Sequence, residues 1–187
     1  MEVFIQKMGL RGGERVLDMG GVASFWHDCP IPLDITIINL PGSGLYENPS
    51  PIHKITYIEG DACNMPFIAD MSYDIVFSNS VIEHVGPPSN QQAFAREVQR
   101  VAPRYWVQTP SIWFPIEAHT YMPFWWVYPE PIKQGFIARW RRKLPAWTEM
   151  IEGTTVIKRS TFHEMFPKAK IWTEYFSGFP KSYIMYH

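Results

Sequence analysis

Apolar positions along this chain fall into two kinds of run, and the way the runs alternate sets the expected order of elements. Five runs are short and built from β-branched or aromatic residues: Arg15-Val16-Leu17-Asp18, Ile35-Thr36-Ile37-Ile38-Asn39, Ile55-Thr56-Tyr57-Ile58, Asp74-Ile75-Val76-Phe77 and Tyr105-Trp106-Val107. Short continuous apolar runs of this kind suit strands buried on both faces. Helical spacing appears elsewhere. Phe4, Ile5 and Met8 share one face of a helix expected over Glu2 to Leu10, with Gly12-Gly13 as its end. Phe94, Val98 and Val101 stand at i, i+4 and i+7 between the fourth and fifth runs, after a Ser89-x-x-Gln92 capping box and before the stop at Pro103. Thr161-x-x-Glu164 caps a further short helix carrying Phe162, Met165 and Phe166, which Pro167 ends.

Strand, helix and strand in succession point to a parallel sheet covered on both faces, so the fold class is α/β and doubly wound. Two strands close the chain, Lys170 to Phe176 and Ser182 to Tyr186. The link Ser177-Gly178-Phe179-Pro180-Lys181 is too short for a crossover, so this pair is expected to be antiparallel. The segment Pro41 to Pro51 reads as loop, which leaves the second crossover poor in helix. With 187 residues, one domain over 1–187 is expected.

Composition adds an uneven feature. Aromatic residues make up 16% of the chain, and five of the eight tryptophans fall between Trp113 and Trp147, after the fifth strand. The stretch 113–157 is too long for a plain crossover and reads as an inserted lid over an acceptor pocket, with Pro115 and Pro123 breaking it into short turns. One competing placement sets its aromatics and the basic group Arg139, Arg141, Arg142 and Lys143 on a membrane surface, and another packs them as the core of a covering helix pair; the pocket is favoured. Glu117 and His119 join the prolines in interrupting the stretch, so no bilayer span is expected. A net charge of −1 excludes a generally basic nucleic-acid binder. Cys29 and Cys63 lie far apart and form no CxxC pair, and the N-terminus has no apolar signal core; a reducing, cytoplasmic setting is expected.

In a parallel α/β sheet, ligands bind beyond the carboxyl ends of the strands. Those ends carry Asp18, Gly20 and Gly21; Asn39; Asp61 and Ala62; and Ser78, Asn79 and Ser80. Histidines other than His84 and His119 are scattered without ligand spacing, and no metal is expected. No phosphate loop, nucleophile elbow, zinc-protease helix or complete dinucleotide turn is present.

The segments Val16-Leu17-Asp18-Met19-Gly20-Gly21, Gly60-Asp61-Ala62 with Met65-Pro66-Phe67, Tyr73 to Val85, and Gly178-Phe179-Pro180-Lys181-Ser182-Tyr183-Ile184 together resemble the class I S-adenosylmethionine-dependent methyltransferases, especially those acting on small molecules. The resemblance runs through nearly the whole chain in order. It implies a Rossmann-like sheet of seven strands ending in an antiparallel hairpin, S-adenosylmethionine as cofactor, and a small-molecule acceptor. It places the cofactor against Asp18, Gly20, Gly21, Asn39, Asp61, Ala62 and Asn79, with Asn39 at the ribose and Asp61 at the adenine amino group. Of the family's three alternate glycines, which would fall at Gly20, Val22 and Ser24, only the first is kept, and Asn39 stands where Asp or Glu is usual. The base-methylating [DN]-P-P-[YF] sequence is absent, Ser78-Asn79-Ser80-Val81 standing in its place. For a hydroxyl acceptor, His84 is the first candidate general base and His119 the second. The rival reading is a noncatalytic module of the same fold that serves as an adaptor.

Overall fold

The computed structural model describes residues 1–43, 50–117 and 119–187. Its centre is a seven-stranded sheet in the order β3-β2-β1-β4-β5-β7-β6, with β1 Arg15–Met19, β2 Asp34–Asn39, β3 Lys54–Glu59, β4 Ile75–Asn79, β5 Arg104–Pro110, β6 Lys170–Phe176 and β7 Phe179–Tyr186. Strands β1 to β5 are parallel, and β7 runs antiparallel to both β5 and β6. The chain moves outward from β1 to β3 and then returns to place β4 beside β1, so strand order reverses between β1 and β4. Crevices for ligands open at such a reversal.

Alternation along the strands divides the core into two layers. Val16, Ile35, Ile37, Ile75, Phe77, Trp106 and Ile184 face one way, under α1 (Glu2–Met8) and a 3₁₀ helix, Ala23–Asp28. Leu17, Met19, Val76, Tyr105, Val107, Tyr183 and Met185 face the other, under α2 (Pro88–Val101) and α5 (Arg159–Met165). Deeply buried Trp26 anchors the 3₁₀ helix. Buried His53 braces it, accepting from the Leu33 amide at 3.3 Å and so donating from Nε2 to the Trp26 carbonyl at 3.0 Å.

Local details depart from the sequence expectations at the helix ends. Gly9, left-handed at φ 59°, ends α1 one turn before Gly12-Gly13. Neither capping box forms: α2 begins at Pro88 and α5 at Arg159, which puts Ser89 and Thr161 inside their helices, with no side-chain cap bond. Proline at the first helical position replaces the cap of α2, because its missing N–H is one of the donors a helix start leaves unpaired. The closing hairpin turns in two residues, Ser177 and Gly178, both at positive φ, as a tight turn matched to strand twist demands. Part of the loop expected over Pro41 to Pro51, residues 44–49, lies outside the described residues, as does Ala118.

After β5 the chain makes the insertion: a 3₁₀ helix Trp125–Val127, α3 (Glu130–Arg141) and α4 (Pro145–Gly153). Its aromatics pack mainly on one another. Trp125 and Trp140 have ring centroids 5.3 Å apart, Trp140 and Trp147 5.1 Å, and Ile137 and Ile151 are buried among them. This third small core, separate from the sheet, takes four of the five tryptophans between Trp113 and Trp147, and Trp113 stays exposed.

Candidate functional site

At the carboxyl ends of β1, β2 and β3 lies a cleft of about 440 Å³, a size that suits a nucleoside-sized ligand. Gly20, Asn39, Asp61, Ala62 and His84 all line it, with Ile38, Gly60, Val81 and Val85 among its apolar walls. Gly20 has φ +80°, and a Cβ there would sit 2.6–2.7 Å from the Val81 methyls, so this position tolerates only glycine. Asn39 donates from Nδ2 to the Gly21 carbonyl at 3.0 Å and ties the end of β2 to the glycine turn. Asp61 accepts from the Cys63 amide at 2.8 Å, which fixes the turn that presents Ala62.

Other expected residues are placed elsewhere. Asp18 is 1% exposed and points with Val16 toward the α1 layer, where one oxygen accepts from Trp26 Nε1 at 2.8 Å and the other has no hydrogen-bond partner. Burial lifts its pKa to about 7, against the lowering effect of the Trp26 bond. Gly21 serves this carboxylate: a Cβ on Gly21 would fall 1.8 Å from Asp18 Oδ2. Gly21 thus makes room for Asp18 and Trp26, and neither it nor Asp18 lines the cleft. Strand alternation likewise turns Asn79 to the side of Phe77, onto a second cavity bounded by Trp106, Gln108 and the first residues of the chain.

His84 and His119, expected as alternatives, form one unit. Their Nε2 atoms are 3.0 Å apart and their rings meet edge to face. His119 Nδ1 bonds Glu117 Oε1 at 2.7 Å, and the amides of His119 and Thr120 donate to Glu117 Oε2. The Thr154 hydroxyl donates to the Met150 carbonyl at 2.8 Å, so its oxygen, 3.1 Å from His84 Nδ1, accepts from that ring nitrogen. The Glu117 bond raises the pKa of His119, while burial and then the charge of His119 lower that of His84. Beside them Glu83, 2% exposed, accepts from Thr109 Oγ1 at 3.1 Å through Oε2 and leaves Oε1 without a partner; burial raises its pKa to about 7. Ligand-capable atoms of Glu83, His84 and His119 lie within 4.8 Å of one another. The expectation of no metal rested on sequence spacing, which cannot see a cluster assembled from residues 35 apart. Sequence reading missed Glu83, Glu117 and Thr154 as partners here; the Glu117-x-His119 spacing was the available signal.

Residues 40–104 match the family described as Methyltransferase domain. That match covers 65 of the 187 residues, and the fold around it is that of the class I methyltransferases. In fold, the domain is similar to a putative methyltransferase from an antibiotic biosynthesis pathway of Anabaena variabilis, at 15% identity and TM-score 0.59 over 94% of this chain and 63% of that one. It is similar also to phosphoethanolamine N-methyltransferase 2 of Haemonchus contortus in complex with S-adenosyl-L-methionine, at 11% identity and TM-score 0.61 over 99% of this chain and 51% of that one. A third likeness is to a SAM-dependent methyltransferase of Aquifex aeolicus, at 15% identity and TM-score 0.53, covering 99% and 87% of the two chains. The domain thus spans about half to two thirds of the length of the first two proteins. No curated protein matches it in sequence. No helix among the described residues is long and apolar enough to cross a membrane.

Proposed function

We propose that this methyltransferase domain binds S-adenosylmethionine in the cleft at the ends of β1, β2 and β3 and methylates a small molecule there, at a hydroxyl oxygen beside His84. The observation that carries the reading is the convergence of Gly20, Asn39, Asp61, Ala62 and His84 on one cleft of about 440 Å³. The residues present fit the cofactor: a Cβ-free turn at Gly20 allows close backbone approach, and polar groups stand at two separated ends. With Nδ2 spent on Gly21, Asn39 offers its Oδ1 to the ribose hydroxyls. Asp61 accepts from the adenine amino group, and Ala62 supplies an amide beside the ring. The bound cofactor supplies a methyl group already activated on a sulfonium.

The chain's own task is then to orient the acceptor, exclude water and take up a proton. Neutral His84 and His119, each with its Nδ1–H committed outward, turn two lone pairs toward each other at 3.0 Å. Such a pair gains from a proton between its nitrogens, and this makes the two rings together, rather than His84 alone, the acceptor for the hydroxyl proton. Two unpaired cysteines, Cys29 buried and Cys63 at the cleft, support a reducing, cytoplasmic setting.

Isothermal titration with S-adenosylmethionine and with S-adenosylhomocysteine tests the reading. Saturable binding of both at one site is expected, and its loss in Gly20→Val. Absence of heat at millimolar ligand would leave the fold as a noncatalytic module.

A further inference from the structure

The gap between the two histidines has the chemistry of a cation site. Each ring is held by its outer nitrogen, His119 by Glu117 and His84 by Thr154, in the way second partners orient metal-ligating imidazoles. Both inner nitrogens then present lone pairs to the same small volume. Their separation of 3.0 Å is close to the ~3.3 Å spanned by two nitrogens about 2.05 Å from a tetrahedral ion. The third donor is the more telling. Glu83 Oε1 is buried and has no hydrogen-bond partner, a costly arrangement for a carboxylate, and Glu83 shares with His119 the lining of a void of about 10 Å³. A buried carboxylate with no proton donor to Oε1, one of its oxygens within 4.8 Å of ligand atoms of both histidines, is an unsatisfied group in the apo protein and a satisfied one around a cation.

We propose that Glu83, His84 and His119 form a binding site for a first-row divalent cation of the zinc class, adjoining the cofactor cleft through His84. Two imidazoles and one carboxylate are the donor set of sites that keep an open coordination position. That position takes water in the resting protein. The use of the site in catalysis deepens, and rests on, the methyl-transfer reading: the acceptor hydroxyl replaces the water, its O–H bond breaks with the oxygen retained on the ion, the proton passes to solvent, and the role given above to the bare histidine pair passes to the ion. The site itself does not depend on that use.

Titration of the chelator-treated, purified protein with Co²⁺ alone, followed by its visible d–d absorption and competed with Zn²⁺, tests the proposal. One equivalent is expected to bind with a tetrahedral or five-coordinate spectrum. His119→Gln and the isosteric Glu83→Gln are expected to weaken binding by about 10²-fold or more, and Glu117→Gln, which only loosens the orientation of His119, by roughly 10–100-fold. The exposed His27→Gln should leave it unchanged. No d–d band in the wild-type protein, or a band that survives in His119→Gln, would overturn the site whatever the folding of the variants. The same preparation titrated with S-adenosylmethionine separates the two readings. Cofactor binding without cobalt binding removes only the metal site, and cobalt binding without cofactor binding removes only the methyl-transfer reading.

Discussion

Asn39 shows how one substitution in a familiar position can be structural. The methyltransferases that the sequence resembles usually place Asp or Glu there, and the amide could look like a weakened ribose contact. Its Nδ2 donates to the Gly21 carbonyl, however, and a carboxylate has no proton to give and would face that oxygen with like charge. Asn39→Asp is therefore expected to cost about 1–3 kcal/mol of stability and to loosen the glycine turn instead of tightening the cofactor. Urea unfolding together with cofactor titration measures both; a variant of unchanged stability and higher affinity would contradict it. Asp18 gives a second case. Its folded pKa of about 7 lies above the unfolded carboxylate value, so the folded state holds the proton more tightly. The penalty is absent below pH ~4, grows as pH rises to about 7, and is then constant at no more than ~4 kcal/mol. Asp18→Asn keeps an acceptor for Trp26 Nε1 and carries no charge. It should unfold at higher urea than the wild type at pH 8 and not at pH 4, and an equal difference at both would show Asp18 to be ionised without penalty. Glu83 adds a slope of the same sign to both proteins and cancels in the comparison.

At the scale of elements, what could be read from the sequence followed from local pattern. The β-branched runs marked four of the five parallel strands within two residues at either end and stopped three residues short of the end of β5, and the five-residue link foretold the antiparallel hairpin, although its real turn is Ser177-Gly178. Side-chain direction was harder to read. Asp18 follows Leu17 in a continuous apolar strand, and nothing local says that its carboxylate turns to Trp26 rather than to a ligand. The His84–His119 contact joins the turn after β4 to the segment after β5, so no spacing rule reveals it. The insertion was legible as an anomaly of composition, and packing of its aromatics within a helix pair was one of the readings it allowed though not the favoured one. That core is thin: Trp125, Ile137 and Ile151 are its buried members, whereas β1 and β4 are buried along nearly their whole length. Amides of α3 and α4 are accordingly expected to exchange by an opening of lower free energy than those of β1 and β4, and Ile151→Ala, at about 2–5 kcal/mol for a truncated buried isoleucine, should speed the helices alone. Hydrogen exchange with a common rate across both regions would show the insertion to be fused to the sheet.

The whole molecule is divided by its switch point, and the cleft bridges the division. Gly20, Asn39 and Asp61 come from the half built on β1, β2 and β3, whereas Val81, His84 and Asn90 come from the segment that leads from β4 through α2. A ligand in the cleft therefore touches both halves and stabilises only the state in which they are docked. Binding at 100 times Kd adds about 2.7 kcal/mol to folding. At roughly 2–4 °C per kcal/mol for a chain of this size, saturating S-adenosylmethionine should raise Tm by about 5–11 °C. Protection in hydrogen exchange should appear on both sides of the division together, at 39–43 and 60–63 and again at 81–90. No aromatic residue of the insertion lines the cleft, so α3 and α4 should exchange at unchanged rates. Protection confined to one half would place the ligand outside this cleft. Protection that extended to 130–153 would show that the insertion closes over the bound cofactor, as a lid would, and would return its aromatic residues to the acceptor pocket.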